Sequence, residues 1–63
     1  MPEALHPLVR RRRILVEAFD QVAQVLDFFT QAGWEARGLE EDLRRIHLRL
    51  IQTQQEIEQN DLD

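Results

Sequence analysis

Two apolar rows, mirror images of each other about a segment bounded by glycines, limit what this chain can fold into. Leu15, Phe19, Val22, Leu26 and Phe29 recur in alternating steps of four and three, the spacing that holds side chains on one stripe of an α-helix. Beyond the glycines, Leu39, Leu43, Ile46, Leu50, Thr53 and Ile57 repeat the pattern. The spacing predicts helix 1 over about 7–32, a loop over 33–38, helix 2 over about 39–58 and an acidic tail over 59–63, all within a single domain, 1–63. The fold class that follows is all-α, an antiparallel two-helix hairpin. Folding the rows together about the loop predicts layers of Phe29 with Leu43, Leu26 with Ile46, Val22 with Leu50, Phe19 with Thr53 and Leu15 with Ile57.

Local signals agree with that layout. Pro7 suits the first helical position, where a missing N–H goes unnoticed. Gly33 can take the left-handed conformation that ends a helix, and Trp34 then falls where a Schellman turn sets an apolar contact back onto Phe29. Gly38 reads as the N-cap of helix 2, and Glu40, Glu41 and Asp42 favour its positive end. Glu40 with Arg44, and Glu41 with Arg45, have the spacing of helix-surface ion pairs.

Helix 1 carries more apolar surface than one neighbour can cover. Ile14, Ala18, Val25, Phe28 and Ala32, with Gln21 as the one polar break, form a second stripe about 100° round from the first. Helix 2 has only the isolated Leu48 and Ile51 outside its seam. At 63 residues the chain is in the size range where a single core is marginal, and it contains no cysteine, so neither disulfides nor zinc–thiolate sites can support it. Self-association is the remaining device. The expected assembly is a homodimer, two hairpins packed on their first helices as a four-helix bundle with coiled-coil-like seams. A groove on a different protein, a larger chain of which this one is a small structural subunit, or a bend of the helix over its own core are the other covers for the same stripe.

Arg10, Arg11, Arg12 and Arg13 stand out in a chain of net charge −4. The hairpin register brings them toward the acidic end, with Glu56, Glu58, Asp61 and Asp63, and pairing within the chain or between copies is the first expectation. The alternative is contact with nucleic-acid phosphates, RNA in particular. The acidic balance and the lack of aromatic residues among the arginines weigh against that alternative.

Enzyme chemistry is not expected. Ser, Cys, Lys and Tyr are absent, which removes the usual nucleophiles, and no glycine-rich phosphate loop is present. His47 has Leu43, Arg44, Leu50 and Ile51 as its helical neighbours, so neither a metal nor another cofactor is expected there, and it reads as a partly buried bundle residue. His6, ahead of Pro7, reads as a cap or a solvated side chain. No apolar run is long enough to span a bilayer and no signal peptide is evident, giving a cytoplasmic expectation. The function expected is that of a non-enzymatic protein-binding module, a small regulator, inhibitor or adaptor. Its partners would be itself and another protein, with no membrane or small-molecule substrate.

Overall fold

The computed structural model describes residues 6–62, which form two antiparallel helices, α1 (Pro7–Ala32) and α2 (Arg37–Gln59). Pro7 opens α1, and His6 caps it: the Leu8 N–H donates to His6 Nδ1 at 3.1 Å, and the Arg10 N–H donates to the His6 carbonyl at 2.9 Å. An imidazole thus fills the role usually taken by a serine or aspartate oxygen. Gly33, at φ +75°, ends the helix. The Trp34 N–H donates to the Phe29 carbonyl at 2.9 Å and the Gly33 N–H to the Thr30 carbonyl at 3.1 Å. Those two bonds define the anticipated Schellman turn. Trp34 folds back edge-on to Phe29, with ring centroids 5.2 Å apart.

The second helix departs from the sequence expectation at both ends. It begins at Arg37, with Ala36 and not Gly38 as its N-cap, and no side chain caps it. The carbonyl of Ala36 alone receives the Glu40 N–H, at 3.0 Å. At the other end the residues expected to trail off as an acidic tail form a second Schellman turn. Asp61 takes the left-handed conformation at φ 54°, the Leu62 N–H donates to the Ile57 carbonyl at 3.0 Å, and the Asp61 N–H donates to the Glu58 carbonyl at 3.1 Å. Asn60 adds a bond from Nδ2 to the Glu56 carbonyl at 2.7 Å. Asp63 lies outside the described residues.

α2 starts two residues before the expected position, and two contacts across the hairpin depart from the mirror register. Phe19, expected opposite Thr53, sets its ring edge against His47 at 6.1 Å. Arg12, expected opposite residue 60, donates from Nη1 to Gln54 Oε1 at 2.8 Å. In both cases the partner lies earlier in α2 than the mirror register requires. The seam residues themselves are those anticipated. Leu15, Phe19, Val22, Leu26 and Phe29 are half-buried against Leu39, Leu43, Ile46 and Leu50.

Full burial is confined to one end. Among the described residues only Ile57 (0% exposed) and Thr53 (2%) are shut away from solvent, and α1 has no buried residue. The molecule is a slab of 44 × 27 × 13 Å, one helix thick. No helix among the described residues is long and apolar enough to cross a membrane.

Candidate interaction surface

The second stripe lies open along one broad face of the slab. Ile14 is 57% exposed, Val25 43% and Phe28 60%; Gln21 and Ala32 are also exposed, and Ala18 alone is half-buried. Helix geometry fixes which face this is. The stripe precedes the seam by one residue, about 100° in one direction, whereas Phe19 and Arg12 lie on the seam's other flank. The Phe19–His47 contact and the Arg12–Gln54 bond lie toward the opposite face, where Val16 is 46% exposed.

Two features that sequence reasoning passed over extend the stripe. Trp34, read only as a partner for Phe29, also meets Phe28, with ring centroids 5.8 Å apart at 71°, and is 57% exposed. An exposed aromatic pair thus stands at the loop end of the stripe. At the other end Pro7, Arg10, Arg11, Ile14 and Leu15 enclose an open groove of about 430 Å³. The groove draws on two helical rows at once, the stripe and the seam, so no single periodicity points to it.

The arginine run divides. Arg12 is half-buried and bonded to Gln54, while Arg10, Arg11 and Arg13 are exposed. Among the described residues no carboxylate pairs with Arg10, Arg11 or Arg13, so the anticipated pairing within the chain to Glu56, Glu58 or Asp61 is not formed. Among the described residues Arg45 pairs with Asp42 and Arg37 with Glu35, each at 3.8 Å and largely exposed, in place of the expected Glu40–Arg44 and Glu41–Arg45 pairs. Each contributes at most about 1 kcal/mol.

His47, expected to be partly buried, is exposed: it lies one residue, about 100°, round from Ile46 of the seam, with the Phe19 ring edge-on beside it. Among the described residues no group of three or more His, Asp or Glu side chains could hold a metal ion. Three further surface hollows mix charged and apolar side chains, such as Glu41, Arg44 and Arg45 around Leu48. None has the converging polar groups that orient a small molecule. Compared with protein-family models, with curated proteins and with solved structures, the chain matches none.

Proposed function

We propose that this protein is a non-enzymatic interaction module, a small regulator, inhibitor or adaptor that works as a homodimer of helical hairpins joined through Ile14, Ala18, Gln21, Val25, Phe28 and Ala32. The observation that carries the proposal is the exposure of this apolar row on an otherwise well-formed helix. The size of the surface supports it. The chain exposes 5302 Å², against about 4,200 Å² for a compact protein of its 7.5 kDa mass. Its radius of gyration is 14.6 Å, where about 11 Å is typical of a compact chain of this length. Bringing two copies to the area of a compact protein of twice the mass removes about 3,500 Å² in total. That lies within the roughly 2,000–5,000 Å² of obligate homodimers.

Val25→Arg and Phe28→Asp test the reading, each scored for mass by light scattering and for helix content by circular dichroism. Both changes put a charge in the middle of the joined faces, and both are expected to lower the assembled mass to that of one chain. Unchanged assembly in both variants would overturn the proposal.

A second reading, an RNA-binding protein, draws support from Arg10, Arg11 and Arg13, which are exposed and without a described carboxylate partner. Salt-sensitive retention of RNA, lost when all four arginines are changed to Gln, is its test.

A further inference from the structure

We infer that the two copies pack antiparallel along α1, and that Trp34 of each copy seats in the groove between Pro7, Arg10, Arg11, Ile14 and Leu15 of the other. The inference rests on the homodimer proposed above and adds its orientation and its anchoring contact.

The stripe itself is built for this direction. Its steps of four and three read the same from either end, so one antiparallel register brings every position into a layer. Ile14 then meets the partner's Ala32, Ala18 meets the partner's Phe28, and Gln21 meets the partner's Val25. In the outer layers each large side chain, Ile14 or Phe28, faces an alanine, and in the central layers Gln21 faces the medium-sized Val25, which keeps the helix spacing nearly constant along the contact. A parallel pair would set Phe28 on Phe28 and Ala18 on Ala18, a bulge beside a gap. In the antiparallel register the two Gln21 side chains fall about 6 Å apart along the axis, one on each side of the dyad. Their amides can reach each other there, and such a buried polar pair fixes register.

Charge points the same way. Parallel packing would place two runs of four arginines side by side. Antiparallel packing separates them by about 35 Å, several Debye lengths at physiological salt. It also brings each run to the C-terminal end of the partner's α1, where carbonyl groups carry partial negative charge and Glu35 stands close by. Glu35 is free to respond, since its contact with Arg37 is 3.8 Å long and both side chains are about four-fifths exposed (78% and 81%).

The groove and the tryptophan match in place and in chemistry. In this register the loop end of one copy lies over the first turns of the other. Trp34, held edge-on by Phe28 and Phe29 and 57% exposed, is the large side chain at that end. The groove opposite offers apolar walls from Pro7, Ile14 and Leu15, with Arg10 and Arg11 at its rim. Guanidinium groups over an indole face add a cation–π attraction to the burial of the ring.

Three measurements test the inference on the full chain. A nitroxide is attached through Gln31→Cys, a unique thiol because the sequence contains no cysteine. Pulsed dipolar spectroscopy is expected to give a label separation of about 25–30 Å for the antiparallel pair, while a parallel pair would give less than about 20 Å. A short distance in a confirmed dimer overturns the orientation. Trp34→Ala is expected to weaken assembly about tenfold or more. Ile14 and Trp34 lie toward opposite ends of α1 in one copy, so any coupling between Ile14→Ala and Trp34→Ala in the assembly constant must cross the interface. Coupling of about threefold or more is expected. Additive effects overturn the Trp34 seat, whereas a wild-type chain that is monomeric by light scattering removes the dimer itself.

Discussion

Both helices end in the same turn, yet the two turns do opposite things. At the end of α2 the left-handed residue is Asp61, and half-buried Leu62 follows it beside Ile57, the most deeply buried side chain described. At the end of α1 it is Gly33, and the residue that follows, Trp34, stands 57% exposed beside an equally exposed Phe28. One Schellman turn seals a core, and the other presents an aromatic pair to solvent. The hydrogen bonding is the same in both, so the difference lies in what surrounds the residue after the turn. The buried end and the exposed end of the hairpin thus share one turn geometry.

Substitutions at the two turns can break this contrast or sharpen it. The largest effect is expected at the sealed end, where Ile57→Ala removes fully buried methylene groups and leaves a cavity. A loss of about 2–4 kcal/mol in urea unfolding at fixed protein concentration is predicted. Gly33→Ala tests the open end. A Cβ there would meet nothing within 4 Å, so only the left-handed backbone conformation opposes the change, and a loss of about 1–2 kcal/mol is expected in the same titration. Asp61→Gly runs the comparison in reverse. It relieves a non-glycine residue at φ 54° and removes a carboxylate from the negative end of α2. A gain of about 1 kcal/mol is predicted, read as a higher urea midpoint with an unchanged slope.

The sequence makes one of these ends far more legible than the other. Gly33 and Trp34 are residue types with a specific use in a Schellman turn, and their spacing from Phe29 announces it. Asp61 and Leu62 carry no such signal, because an aspartate is an uncommon left-handed residue and the surrounding run of acids reads as a solvated tail. The hairpin is legible because its two seams recur with helical spacing. Its register is not, because the start of α2 at Arg37 is marked by no capping side chain, while Gly38 invites a later start. Phe19 meets His47, six residues before Thr53, a larger offset than the two-residue change in that boundary. The interaction surface is legible in part. Periodicity along one helix identifies Ile14, Ala18, Gln21, Val25, Phe28 and Ala32. The groove at Pro7, Arg10, Arg11, Ile14 and Leu15 depends on how two rows meet, and Trp34 joins the stripe only through the geometry of the turn.

The same distinction explains the arginines. A charge run read along the sequence has the acidic end of α2 as its obvious partner. In three dimensions Arg12 turns to Gln54, while Arg10 and Arg11 border the groove proposed to seat a second copy's Trp34.

The account depends on α1 being apolar on two sides with its own neighbour covering one. The most direct test is the mass of the native chain by sedimentation equilibrium at micromolar concentration, with helix content measured on the same sample. A helical species of twice the 7.5 kDa chain mass is predicted. A fully helical, cooperatively unfolding species of 7.5 kDa at every concentration would contradict it.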